Sequence, residues 1–256
     1  MSEAKNNVNE ADEKKEGNVL AGFVLFKDAN MDWTRFRKNL ADDWDITFED
    51  EVKEGALVFK NEGMVVALSL MPNPVPDNEA ENAAKNNILW KDGDKEVAKH
   101  GAHIMLAVMN KFDAIDQALL FAKVACSLLK LDNAIAIYKN PTCYEKKFYV
   151  DFAMSIKEGE LPMPILIYTG MYLAKTGICA FTSGMRFFGK EEIEVVDSQK
   201  QPGEVISFLL SITEYVVSEN AELKDGETIG FTEDEKLPIT VSDGVSVQGT
   251  TVKIGF

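Results

Sequence analysis

The sequence predicts an α+β protein in which packed helices cover mixed and antiparallel sheets. Apolar runs of strand length alternate along the chain with segments whose apolar residues recur at helical spacing. Glycine-centred turns separate several short runs, which is typical of antiparallel strands that pair in sequence order. With 256 residues, 46% of them hydrophobic, the chain is long enough to bury a large core.

The first elements are predicted to be a strand, a helix and a small meander. Residues 19–26 form an apolar run, and the apolar positions of residues 32–40 recur at helical spacing. Turn-like tripeptides at residues 53–55 and 61–63 then separate further apolar runs. Three short antiparallel strands are therefore expected over residues 46–48, 56–59 and 64–71.

A proline-rich segment leads into the middle of the chain. Pro72, Pro74 and Pro76 each fix φ and restrict the residue before them, so a rigid extended connection is expected. A helix over residues 77–88 should follow, with acids in its first turn. Residues 103–109 are apolar on both faces and predict a central strand that is buried on two sides.

The remaining elements continue the alternation. A largely buried helix over residues 114–129 and a strand over residues 134–138 complete a β-α-β unit with residues 103–109. The later pattern predicts a helix over 145–156, a hairpin over 165–173 and 178–181, a strand over 193–196, a helix over 202–217 and short terminal strands.

The order of elements suggests how the chain is divided. Strand, helix, strands and helix occur around residues 19–88 and again around 134–217, which favours a duplicated ferredoxin-like arrangement. Residues 1–18 are polar and lack aromatic side chains, so we expect a disordered acidic tail. Residues 19–256 are predicted to form a single α+β domain, with two lobes joined near residues 90–100 as the alternative.

The charge balance excludes some classes of partner. The chain carries 27 basic and 42 acidic residues, net charge -15, and so repels nucleic acid and anionic membrane surfaces. No stretch approaches the roughly 20 consecutive apolar residues of a membrane span, and residues 1–18 contain no apolar signal core. Three widely spaced cysteines argue against disulfides and zinc clusters. We therefore expect a cytoplasmic protein without a cofactor.

Several short motifs together resemble a known bacterial family. They are Pro72-Asn-Pro74-Val-Pro76 with Glu79 and Glu81, Trp90, His100-Gly-Ala-His103, Gly184-Met185, Phe188-Gly189 with Glu192-Ile193, Asp225-Gly226 and Thr228-Ile229-Gly230. From about Gly22 to the C-terminus, the chain resembles the bacterial domain of unknown function family DUF4261. The resemblance implies a bacterial protein of unassigned activity.

The two histidines define the only candidate site. His100 and His103 invite a metal hypothesis because imidazole is the commonest metal ligand. On a strand, however, residues three apart point to opposite faces, and two ligands are too few. The competing interpretation is a pair of buried packing histidines. The full candidate site adds four side chains, which are Glu79, Glu81, Trp90 and Glu192.

A carboxylate beside His103 would give that site a chemical role. It would stabilise the protonated ring, raise its pKa and suit the group to acid or base catalysis near neutral pH. We expect residues 72–90 and the strand that follows His100 to meet in space, since the proline-rich segment is too rigid to act as a flexible linker.

Clustered acids and missing catalytic motifs favour a non-catalytic function. Residues 42–54 hold seven acids and one lysine, and residues 219–236 hold seven acids and two lysines. These stretches suggest an acidic face for a basic protein partner in an accessory or immunity-type role, with a solvated surface as the competing explanation. The chain lacks the signatures of nucleotide-binding loops and hydrolase elbows, so no catalytic residue is predicted. The alternative is an enzyme or a small-ligand or metal-binding sensor with a pocket near His103.

Overall fold

The computed structural model describes residues 18–110, 113–232 and 236–256. Its first sheet has the strand order β2-β3-β4-β1-β5-β6, and every neighbouring pair is antiparallel. The strands are β1 (Asn18–Phe26), β2 (Ala56–Asn61), β3 (Met64–Met71), β4 (Ala102–Asn110), β5 (Ala134–Lys139) and β6 (Thr142–Glu145). The predicted tail lies outside the described residues, except that Asn18 begins β1.

The second sheet is built from the C-terminal part of the chain. Its strands are β7 (Tyr168–Leu173), β8 (Ile178–Ser183), β9 (Glu192–Ser198), β10 (Thr228–Ile229), β11 (Leu237–Asp243) and β12 (Thr250–Ile254). Their order is β10-β11-β12-β9-β8-β7, with β12 and β9 parallel and the other pairs antiparallel. One mixed and one antiparallel sheet confirm the predicted α+β class, whereas the ferredoxin-like duplication stays a prediction.

The described helices start at residues that suit helix N-termini. They are α1 (Trp33–Trp44), α2 (Glu79–Ala84), α3 (Gly93–Val97), α4 (Ala114–Leu129), α5 (Lys146–Met154), α6 (Met163–Leu166) and α7 (Pro202–Ser218). The side chain of Asp32 accepts a hydrogen bond from the backbone of Arg35 at the start of α1. At α7, Gln201 and Glu204 form a capping box ahead of a proline in the first turn. None of the described helices is both long and apolar enough to cross a lipid bilayer.

α4 and α7 lie between the two sheets and are connected through α6. α4 is buried along nearly its whole length, because it contacts β1, β4 and β5 on one side and α1, α5 and α6 on others. α7 packs against β7, β8 and β9 and meets α6. One cluster of buried apolar side chains therefore runs through both sheets. The chain passes from the first sheet to the second between Glu145 and Tyr168, while residues 90–100 lie between two strands of the first sheet.

Two sequence predictions are wrong in their local detail. Residues 46–48 form no strand, because Phe48 stacks on Phe59 with ring centroids 3.9 Å apart and anchors a loop instead. Cys143 follows Pro141 closely, which predicts a loop, but it is buried in β6. Burial raises the pKa of its thiol, which makes it an inert side chain.

A third correction concerns β4, which is buried on one face only. Ile104, Leu106 and Val108 lie in the core, whereas Met105 and Met109 are 42% and 37% exposed. α1 and α4 cover the inner face of the first sheet, but α2 and α3 cover only one end of its outer face. The uncovered part, called the open face below, contains the apolar residues Val19, Ala21, Val58, Val65, Ala67, Met105, Ala107 and Met109, with Lys60 and Ser69 on the same side of the sheet.

Candidate functional site

His100 is buried where the proline-rich segment meets the start of β4. The backbone N–H of Val75 donates a hydrogen bond of 2.9 Å to its Nε2, and its Nδ1 lies 2.6 Å from the backbone oxygen of Val97. A neutral imidazole donates from one nitrogen and accepts at the other, so these contacts place the proton on Nδ1. Both ring nitrogens are therefore engaged by the backbone.

His103 is the second residue of β4 and contacts the same proline-rich segment. Its Nδ1 is 2.8 Å from the backbone oxygen of Asn73, and its ring meets the edge of Phe23 at a centroid distance of 5.5 Å. Burial lowers the pKa of His103, the hydrogen bond to Asn73 opposes this, and any positive charge on His100 lowers the pKa further. Residues 72–90 and the β4 strand therefore meet in space, through both histidines.

The carboxylates of the predicted site do not converge on these rings. Glu81 Oε1 lies 3.9 Å from His100 Nδ1, which is too far for a hydrogen bond. Glu79 is exposed on α2 and acts on Tyr138, whose pKa is raised first by burial and then by this charge. In the described part of the chain, no three His, Cys, Asp or Glu side chains are grouped as metal ligands.

Glu192 and Trp90 have other roles. Glu192 lies on β9 in the second sheet, where it accepts hydrogen bonds from Thr182 Oγ1 at 2.8 Å and from the backbone N–H of Gly184 at 2.9 Å. It therefore holds the turn after β8 and does not join the histidines. The indole of Trp90 lies against Gly93, where an added Cβ would come within 2.8 Å of the ring. Of the predicted site residues, Trp90 is the one that lines a sizeable cleft.

An NMR titration of His103 is expected to give a pKa below the ordinary value of 6.5. Burial is the main cause of this shift and no carboxylate is among its causes, so Glu79→Gln and Glu81→Gln should leave the titration unchanged. Because the folded pKa is lowered, the unfolded chain takes up the proton first. The stability contributed by neutral His103 is therefore lost as the pH falls from 6.5 towards the folded pKa. A pKa above 6.5, or one moved by either substitution, would contradict this assignment.

Lys139 has a perturbed pKa and belongs to no motif that could be recognised in the sequence. It ends β5, and its Nζ donates a hydrogen bond of 2.6 Å to the backbone oxygen of Leu166 at the C-terminus of α6. Burial lowers the pKa of Lys139 to about 8. Its partner is a carbonyl of the helix end, which favours a cation, so the contact ties α6 to the first sheet.

The comparisons with known proteins bear on the C-terminal part of the chain. No curated protein and no solved structure matches this sequence. The motifs between Pro72 and His103 fall outside residues 181–255, a segment that a family model matches. Residues 181–255, from β8 to β12, match the model of the family described as Domain of unknown function (DUF4261), which confirms over that segment the resemblance seen in the sequence.

Proposed function

We propose that this protein is a non-catalytic cytoplasmic interaction protein that docks a basic partner protein on the open face of its first sheet. The observation that carries the proposal is the exposure of apolar side chains on adjacent strands. Val19 is 57% exposed, Val58 is 52% exposed and Met105 is 42% exposed. Apolar surface that is contiguous across a sheet is typical of a protein-protein contact.

The strand register makes these side chains neighbours. Met109 of β4 pairs with Val19 of β1 on one side and with Val65 of β3 on the other. Ala67 pairs with Val58 of the edge strand β2. The face is therefore continuous over four strands spaced about 4.8 Å apart. Methionine is common at such surfaces because its flexible thioether adapts to a partner.

The acidic residues that precede the edge strand β2 indicate which charge a partner protein should carry. Residues 42–54 lead directly into β2, the edge strand of the first sheet. Asp45, Glu49 and Glu51 are exposed, and within the described ranges they form no ion pair. An apolar centre with a charged rim is the usual anatomy of a protein interface. Residues 42–54 carry seven acids and one lysine where the chain enters this sheet, so they favour a partner with an apolar patch bordered by lysine or arginine.

A second copy of this chain would meet a less favourable surface. Two molecules of net charge -15 repel each other, and residues 42–54 would approach acids of the other copy. The second acidic stretch, residues 219–236, includes β10, the edge strand of the other sheet, and so offers no basic complement. Charge complementarity therefore points to a different protein.

The proposal is tested by affinity capture from native lysate with three versions of the full chain. Met105→Glu places a charge at the centre of the open face and is expected to abolish capture of the basic partner. Leu173→Glu is the matched control, since Leu173 is 82% exposed on β7 of the second sheet. Both variants should unfold within about 0.5 kcal/mol of the wild type, because both side chains are exposed.

Three results together would support docking: capture by the wild type and the control, loss with Met105→Glu, and weakening at high salt. Capture that persists with Met105→Glu would overturn the assignment of the face. A wild-type dimer in sedimentation that Met105→Glu dissociates would overturn the choice of partner.

A further inference from the structure

A cleft of about 620 Å³ opens beside the end of β1, between α3, β5 and α5. Its volume lies within the range of small-ligand sites in proteins. Five lysines and three carboxylates line it, although acids outnumber bases by 42 to 27 in the whole chain. The lysines are Lys27, Lys99, Lys130, Lys146 and Lys147. The cleft is therefore a cationic region on an anionic protein.

Two of these lysines have no carboxylate bound to them. Lys146 Nζ donates a hydrogen bond of 2.7 Å to the backbone oxygen of Leu131, and Lys27 forms no ion pair with any described residue. Burial lowers the pKa of Lys146, and the charge of Lys27 lowers it further against the effect of Asp132. The two ammonium groups thus act on each other across the cleft, and an anion between them would relieve that repulsion.

The other three lysines are held by local ion pairs. Lys99 pairs with Glu96 at 2.6 Å, Lys147 pairs with Asp151 one turn along α5, and Lys130 pairs with Asp43 at 2.5 Å. Exposed pairs of this kind contribute little to stability. A multiply charged ligand can therefore compete for Lys99 and Lys147 at small cost.

The N-terminus of α5 lies at the same cleft. Glu145, the cap residue of α5, makes no side-chain hydrogen bond to the helix, and Glu145 and Lys146 both line the cleft. The partial positive charge of a helix N-terminus favours an anion. The lining also contains the apolar side chains of Trp90, Ile135 and Val150. The indole is held in place by its contact with Gly93.

We propose that this cleft binds a small organic phosphate that carries a flat ring, with its phosphate oxygens at Lys27 and Lys146 and its ring against Trp90. Phosphate oxygens bind lysine ammonium groups, and a flat ring stacks on an aromatic side chain; both kinds of side chain line this one cleft. The site is separate from the open face and does not rest on the docking proposal.

Calorimetric titration of the full chain with ATP, pyrophosphate and adenosine tests the site. ATP is expected to bind more tightly than either of the other probes, because it alone offers both the phosphates and the ring. Lys27→Gln and Lys146→Met are each expected to weaken ATP binding about tenfold or more. Trp90→Leu should weaken ATP binding and leave pyrophosphate binding unchanged.

Lys175→Gln is the matched control, since it removes one lysine charge from the β7–β8 turn of the second sheet and should leave the affinity for ATP within twofold. Lys146 also supports Leu131, so its variant is checked for folding, and Lys27→Gln keeps the test valid if that variant unfolds. No binding of ATP or pyrophosphate, or binding that all variants retain, would overturn the site. Pyrophosphate binding as tightly as ATP would overturn the class of ligand.

Discussion

Glu194→Gln is expected to destabilise the protein by about 3 kcal/mol or more, because it breaks the hydrogen bonding of a buried carboxylate. Glu194 lies on β9 with no exposed surface. It accepts hydrogen bonds from the backbone N–H groups of Val245 and Ser246 and from Thr251 Oγ1, and Lys253 Nζ is 3.5 Å away. An amide would turn N–H groups towards some of these donors and remove the charge that pairs with Lys253.

Urea unfolding of the two proteins measures the effect. Glu191→Gln is the matched control, since this neighbouring side chain is half exposed near Arg186 and should change stability by less than about 0.5 kcal/mol. Equal unfolding of Glu194→Gln and the wild type would show that the loop between β11 and β12 does not depend on the carboxylate.

The difference in stability between the wild type and Glu194→Gln is expected to depend on pH. Burial alone would raise the pKa of Glu194, but the hydrogen bonds from Val245, Ser246 and Thr251, with the charge of Lys253, outweigh burial and hold it below 4.5. Because the folded pKa is depressed, its contribution is complete above 4.5 and is lost as the pH falls through the folded pKa. The stability gap between wild type and Glu194→Gln should therefore narrow at acid pH. A constant gap from neutral to acid pH would refute this origin.

His100→Ala is expected to cost roughly 3–5 kcal/mol, because it creates a cavity and leaves a buried backbone donor without its partner. The N–H of Val75 donates to this ring, whereas the carbonyl of Val97 keeps its hydrogen bond from the backbone N–H of residue 100. Lys99→Ala is the control, since Lys99 is the exposed neighbour in an exposed ion pair. Thermal unfolding measures both variants.

The thermal measurement also distinguishes a packing histidine from a metal ligand. With both ring nitrogens engaged by the backbone, one equivalent of Zn²⁺ and an excess of EDTA are each expected to leave the wild-type Tm unchanged. A rise in Tm with zinc that His100→Ala abolishes would restore the metal hypothesis.

The spacing of apolar residues predicted most of the helices and strands, because that spacing reflects which side chains are locally buried. The runs at residues 19–26, 56–59 and 64–71 became β1, β2 and β3, and the helix starting at Pro202 became α7. The strand predicted over residues 46–48 did not form. The apolar run is held by an aromatic contact with β2 and does not need a pairing strand. The prediction that β4 is buried on both faces was wrong for a different reason. An apolar sequence on both faces of a strand does not show which face a helix covers. The part of the outer face that is covered depends on where α2 and α3 end.

The candidate sites, like the strands, could be predicted only in part from sequence spacing, because spacing describes local structure. Contact between the proline-rich segment and both histidines followed from the rigidity of three prolines close together. The lysines of the cleft come from the end of β1, from α3, from the end of α4 and from α5, with no spacing that a motif could describe. Only the tertiary fold brings Lys27 to Lys146.

The position of β1 in the first sheet has a consequence for synthesis of the chain. β1 is flanked by β4 and β5, so both of its hydrogen-bonding neighbours are made long after it. At translation rates of roughly 5–20 residues per second, β1 remains without its pairing strand for several seconds until β4 emerges from the ribosome. A nascent chain in that interval presents an unpaired hydrophobic strand, which is the kind of segment that chaperones bind and that aggregates when they are scarce.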